Sequence, residues 1–343
     1  MRVIGITNEY EQAYIYLVML KVSWTIILSL LLCSTLAAAE DYPVGDKPFR
    51  RYVVEGGDGK RITFYLSTQQ APIHPVPLIV WVQGTGCSSQ YVSDGKRLSR
   101  GMQGVLFSVA SGRAHILAVE KPGVEFLDYP PDDSDARACR PEFLAEFTLD
   151  RWAKTIADAI QAAQKMPGVD PSKTLVIGAS EGGIVAMRVS NVSPAVTHAA
   201  SLSGGGAVYL FHIAEFMRSK GLDPEKEVYA CWSDILKDPD STTKFCWGQT
   251  YLQWSSFMKT SVLAEAIKSH ALLYFVHGTA DTQQAIAGFD VLRAELAAKQ
   301  RDAVFERIEG ADHELNLPNQ KAPEGMEAVF VRVVNWFLGN VEK

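Results

Sequence analysis

Residues 174–189 read TLVIGASEGGIVAMRV, and no other stretch of the chain limits its fold so tightly. Thr174-Leu175-Val176-Ile177 is a near-continuous apolar run, as suits a strand covered on both faces. Gly178-Ala179-Ser180-Glu181-Gly182 interrupts it, and Ile184-Val185-Ala186-Met187 then suits a helix. Strand, sharp turn and helix around Gly-x-Ser-x-Gly is the arrangement that lifts a serine hydroxyl above the carboxyl end of a sheet. The turn forces the serine into strained backbone, so its neighbours must be small. The alternative is a chance Gly-x-Ser-x-Gly in a glycine-bearing loop, and the flanking patterns argue against it.

The rest of the chain supplies a sheet for that turn. FRRYVVE (49–55) and RITFYLST (61–68) flank Gly56-Gly57-Asp58-Gly59, a pattern for a β-hairpin. Residues 77–82, 115–120, 195–202, 271–276 and 303–308 read as further strands. Apolar residues at 149, 152, 153, 156, 160 and 163 have the spacing of an amphipathic helix, and Pro167-Gly168 stops it. Met326, Val329, Phe330, Val333 and Phe337 line one face of a last helix closed by Gly339. Strands alternating with helices predict an α/β fold, a doubly wound, mostly parallel sheet opened by an antiparallel hairpin. Between 207 and 265 the pattern changes to helical segments and charged turns, which predicts a helical cap inserted between core segments 40–206 and 266–343.

The amino end reads as an export signal. Lys21 precedes VSWTIILSLLL and CSTLAAAED, a basic residue, an apolar run and a small-residue cleavage site. Residues 1–39 are expected to be removed, with Met19 an alternative start. The apolar run is short of the roughly 20 residues that span a bilayer, although an uncleaved anchor is the competing reading. Leu30-Leu31-Leu32 before Cys33 lacks the small residue expected ahead of a lipid-modified cysteine. The protein is therefore expected to be secreted or periplasmic, with no stable membrane anchor after cleavage. Cys87, Cys139, Cys231 and Cys246 then remain, an even number for an oxidising compartment. Cys231 and Cys246 are close in sequence and flanked by aromatics, which leaves Cys87 for Cys139. A zinc site is the rival, but no C-x-x-C pair occurs. A formal net charge of −6 leaves no basic footprint for nucleic acid.

A serine hydroxyl needs a base, and the base needs an acid to orient it. In this architecture they follow the serine in the order acid, then histidine. Asp281, in FVHGTAD after an apolar strand, and His313, in GADHE after the last strand, meet that order. Of the seven histidines, His74 and His115 precede Ser180, His198 sits inside an apolar strand, and His212 and His270 border the expected cap. His277 ends a strand and reads as packing for the acid loop. Asp312 adjoins His313 and reads as a loop residue. The oxyanion donors are expected to be the backbone N–H of Glu181 and that of Thr85, in Gln83-Gly84-Thr85-Gly86-Cys87, where Gly84 and Gly86 allow close backbone approach. A Cys87–Cys139 bond would stiffen that loop. No metal or organic cofactor is called for.

Together GASEGG (178–183), HGTAD (277–281) and GADH (310–313) resemble the α/β-hydrolase superfamily over roughly residues 49–343. The SEGG elbow with VEKPGV upstream is most similar to exported bacterial hydrolases of the esterase and prolyl-oligopeptidase-like branches. The resemblance implies a Ser180–Asp281–His313 triad. Gln83 departs from it, since many members carry His before the glycine there. A carboxylesterase using an acyl-enzyme is the leading expectation, and a serine peptidase for small peptides is the alternative. A binding protein on a retired hydrolase fold is the third reading. Trp232, Trp247 and Trp254 in the cap favour an apolar or aromatic acyl group, unless they form the lid's own core. Glu215, Asp223, Glu225 and Glu227 could meet a peptide terminus, though such charges ordinarily face solvent.

Overall fold

A computed structural model of the chain describes residues 40–68, 74–93, 95 and 97–339; the expected export signal, 1–39, lies outside them. Nine strands make one sheet: β1 (Glu40–Pro43), β2 (Phe49–Glu55), β3 (Arg61–Ser67), β4 (Val76–Val82), β5 (His115–Val119), β6 (Val169–Ala179), β7 (His198–Leu202), β8 (Leu272–Gly278) and β9 (Val304–Ile308). Their order across the sheet is β1-β2-β3-β5-β4-β6-β7-β8-β9. The expected hairpin is present, with Phe49 opposite Ser67 and Glu55 opposite Arg61. From β5 to β9 every pairing is parallel.

Alternation along the strands builds two cores, because successive side chains leave opposite faces. In β4, Leu78, Val80 and Val82 point to one face, beside Trp152, Ile156 and Ile160 of helix α2 (Leu149–Ala163) and Ile184 and Val185 of α3 (Glu181–Val192). Ile79 and Trp81 point to the other, beside Leu106 of α1 (Met102–Ala110) and Val329, Phe330 and Val333 of the last helix (Glu324–Leu338). Strands covered on both faces explain the near-continuous apolar runs. Two boundaries move from those expected. β6 begins five residues before Thr174, at Val169, with a register shift against β4 between Val76 and Leu78. Pro171, which has no N–H for a ladder, hides this irregular start from a sequence reading. β7 begins at His198 rather than 195.

Between β7 and β8 the chain forms helices Tyr209–Ser219, Ala230–Ile235, Tyr251–Phe257 and Val262–Lys268, with a small hairpin pairing Phe245 with Thr250. This hairpin docks on the 134–136 segment: the Ala136 N–H donates to Gly248 O at 2.6 Å, and Gln249 Nε2 donates to Ser134 O at 2.9 Å. The disulfides are Cys87–Cys139 and Cys231–Cys246, the expected pairs.

Candidate active site

Ser180 stands between β6 and α3, at φ 55° and ψ −127°. This is backbone that a side chain tolerates poorly and that recurs at functional turns. The turn is possible only because glycines flank it. A β-carbon on Gly178 would lie 2.0 Å from Gly182 O, and one on Gly182 would lie 2.3 Å from Val82 O. The Ser180 N–H is held by Leu202 O at 2.8 Å, which ties the turn to the end of β7. Glu181 opens α3, so its N–H has no partner within the helix and points with the positive end of the helix dipole.

β8 and β9 lie two and three strands from β6 and run parallel to it, so the loops that follow them open on the same edge of the sheet. Asp281 Oδ1 accepts the N–H groups of Gln283 (2.8 Å) and Gln284 (2.9 Å), and Oδ2 meets His313 Nδ1 at 2.8 Å. Burial works to raise the Asp281 pKa, but the hydrogen bonds from His313 and Gln284 outweigh it and hold the carboxyl below the usual range. His313 keeps a partly exposed ring, and with Nδ1 on Asp281 its Nε2 is the ring nitrogen not engaged by the acid. Among the described residues no hydrogen bond joins Ser180 to His313.

His277, His198 and Asp312 occupy structural positions. His277 is fully buried, donates from Nε2 to Gln284 O at 2.8 Å and so braces the acid loop. His198 meets Trp336 and Phe337 edge-on, each with centroids 5.0 Å apart, and burial lowers its pKa to about 4. Asp312 Oδ1 accepts the N–H groups of Glu314 and Asn316, shaping its own loop.

The Gln83–Cys87 loop lies over Ser180. A β-carbon on Gly84 would sit 3.4 Å from Ser180 Cβ and 3.9 Å from Oγ. Gln83 Nε2 donates to Ser88 O at 3.0 Å, so the residue standing in place of the usual histidine pins the loop across its own width. Three residues beyond the sequence reading bear on this loop. Lys121, directly after β5, is buried and donates to Gly84 O and Gly86 O. Glu120 is also buried; it accepts from Tyr65 Oη at 2.6 Å, from the Ser89 hydroxyl, and from the Gln90 N–H. Tyr209, from the inserted segment, is buried beside the Thr85 and Gln284 side chains, between the Gln83–Cys87 loop and the loop that carries Asp281. In the sequence Glu120 and Lys121 stand out only as part of VEKPGV (119–124), with no role of their own, and nothing marks Tyr209.

Of the three tryptophans, Trp254 is buried, with Nε1 on Cys246 O at 2.6 Å. Trp247 packs against it edge-on, 5.8 Å between centroids, and donates to Glu227 O at 2.8 Å. Trp232 is half-buried against the same core.

No family model matches the sequence, and no curated protein matches it. Solved structures do. Acylaminoacyl peptidase from Pyrococcus horikoshii superposes with a TM-score of 0.59 at 15% identity, over 90% of this chain and 42% of that one. A putative dienelactone hydrolase from Klebsiella pneumoniae gives 0.55 at 13% identity, over 87% and 97%. Est1E from Butyrivibrio proteoclasticus gives 0.52 at 14%, over 88% and 99%. The chain spans less than half the length of the acylaminoacyl peptidase. Strand order, helices on both faces and these neighbours together give the chain an α/β-hydrolase fold.

Proposed function

We propose that the protein is an exported serine hydrolase that cleaves carboxylic esters through an acyl-enzyme on Ser180. The observation that carries this reading is the coincidence, on one sheet edge, of a strained serine, an Asp281–His313 pair and a glycine loop lying over the serine. In this mechanism His313 Nε2 takes the Ser180 proton as Oγ attacks the carbonyl, and Asp281 holds the imidazole and stabilises its cation. The Thr85 and Glu181 N–H groups receive the oxyanion. His313 returns the proton to the leaving alcohol, and water repeats the sequence on the acyl-enzyme. No step calls on a metal or an organic cofactor.

Two neighbours matched over nearly their whole length support the ester reading, one of them described as a hydrolase of dienelactones, which are cyclic esters. The likeness to an acylaminoacyl peptidase supports a second reading, a serine peptidase for small acylated peptides. The disulfides support an oxidising compartment.

The test is a fluorophosphonate probe and a short-chain p-nitrophenyl ester, applied to the wild type and to Ser180→Ala. Labelling and turnover in the wild type, both lost in the variant, are expected. Labelling with turnover only of N-acyl peptide anilides would favour the peptidase. A folded protein that does neither would overturn both.

A further inference from the structure

We propose that Lys121 is a positioning residue that holds both oxyanion donors at once, an inference that rests on the acyl-transfer reading of Ser180. Its side chain is wholly buried, with Nζ 2.5 Å from Gly84 O, 2.6 Å from Gly86 O and 4.0 Å from a Glu181 carboxylate oxygen. The ring centroids of Trp152 and Phe147 lie 4.7 and 5.1 Å away; the ammonium donates to the two glycine carbonyls and faces the Glu181 carboxylate as a charge partner beyond hydrogen-bond reach.

The consequence for the loop follows from peptide planarity. In a trans peptide the C=O of one residue and the N–H of the next point in opposite directions. With Gly84 O turned inward onto Lys121, the Thr85 N–H is turned outward, and Gly84 lies beside Ser180. The Gly86–Cys87 peptide is fixed in the same sense. On the other side the same ammonium faces the side chain of Glu181, whose backbone N–H is the second donor. One buried charge therefore fixes the loop peptide and the first residue of the nucleophile helix against each other.

Burial pushes the Lys121 pKa down to about 8, while Glu181, Asp133 and Glu120 draw it back up. Burial likewise raises that of Glu181, which Lys121 opposes. A fully desolvated ammonium is costly unless it is paired, and its partners here are the two oxyanion segments themselves.

The test is Lys121→Met, read three ways. An oxyanion donor is worth about 100-fold or more in kcat, so a fall of about that size with KM unchanged is expected. Affinity for an aryl trifluoromethyl ketone, which forms a tetrahedral adduct on the serine, should fall by the same factor. Amide hydrogen exchange across residues 83–91 should quicken while the rest of the sheet stays protected. Because Lys121→Met leaves Glu181 without its counter-charge, Lys121→Met/Glu181→Gln is made in parallel, with the same outcome expected should the single variant not fold. A folded variant that keeps its affinity for the ketone, or whose 83–91 amides stay protected, would overturn the proposal. A wild type inert to esters, peptides and the ketone would remove the acyl-transfer reading, and the exchange data would still judge the clamp.

Discussion

His313 Nδ1 lies 2.8 Å from Asp281 Oδ2, although the two residues are 32 apart in sequence and leave different strands of the sheet. The carboxylate is fixed from behind by two backbone N–H groups, those of Gln283 and Gln284. It therefore dictates which imidazole nitrogen carries a proton rather than adapting to the ring. Asp281→Asn keeps the shape but can offer its amide N–H to Nδ1, which would favour the wrong tautomer. We expect kcat for p-nitrophenyl esters to fall by about 10⁴-fold with little change in melting temperature. A loss of only a few-fold would remove Asp281 from the reaction.

Ser180 carries a conformational strain that a glycine would not. At φ 55° and ψ −127° the backbone lies where glycine is at ease and other residues are not. Ser180→Gly should abolish turnover and at the same time stabilise the protein by about 1 kcal/mol. In a domain of about 300 residues that corresponds to a rise in Tm of roughly 1–2 °C. Calorimetry of Ser180→Gly beside Ser180→Ala separates the relief of strain from mere loss of the hydroxyl. Equal Tm values for the two variants would refute the strain.

How much of this could be read in the sequence depended on whether the physical constraint was local. Gly178 and Gly182 announce the elbow because no side chain fits there, and Asp281 and His313 announce themselves as polar residues just past apolar parallel strands. The two disulfide pairs were legible by count and proximity. Lys121 was not, because a lysine after a strand ordinarily ends it in solvent, and only the packing of Trp152 and Phe147 buries this one. Helix Met102–Ala110 escaped notice because Gly104 lies inside it and Gly101 caps it without a side-chain hydrogen bond. Tyr209 reaches Thr85 only through docking of the inserted segment, a tertiary event with no local signature.

The Cys87–Cys139 bond closes a 52-residue separation and ties the Gln83–Cys87 loop to the turn before residue 140. Loop-closure entropy for a ring of that size amounts to about 4 kcal/mol, an upper figure for the loss on cutting it. Cys87→Ser/Cys139→Ser should lower the urea midpoint accordingly and should also lower kcat, since Cys87 directly follows Gly86, one of the two glycines Lys121 holds. The control is Cys231→Ser/Cys246→Ser, whose bond lies within the inserted segment and closes only a 15-residue separation. It should cost less stability, about 3 kcal/mol at most by the same relation. Equal effects of the two pairs on kcat would show that the first has no special hold on the loop.

Glu120 gives the protein a pH dependence outside the proposed triad. Its carboxyl is fully buried, and burial raises its pKa to about 7 against the opposing hydrogen bonds from Ser89, Tyr65 and Gln90. A carboxyl whose folded pKa lies above its unfolded value binds its proton more tightly in the native state. Its contribution to stability is then complete below about pH 4.5 and is lost as pH rises to about 7. The loss is on the order of 3 kcal/mol. Glu120→Gln removes the titration while keeping an acceptor for Tyr65 and Ser89. Urea unfolding at pH 5 and pH 8 should show the wild type losing more stability than the variant across that interval. Parallel pH dependences would mean that the Tyr65, Ser89 and Gln90 donors hold Glu120 ionised down to the ordinary carboxylate range, so that the segment after the oxyanion loop is anchored by a fixed charge at every working pH.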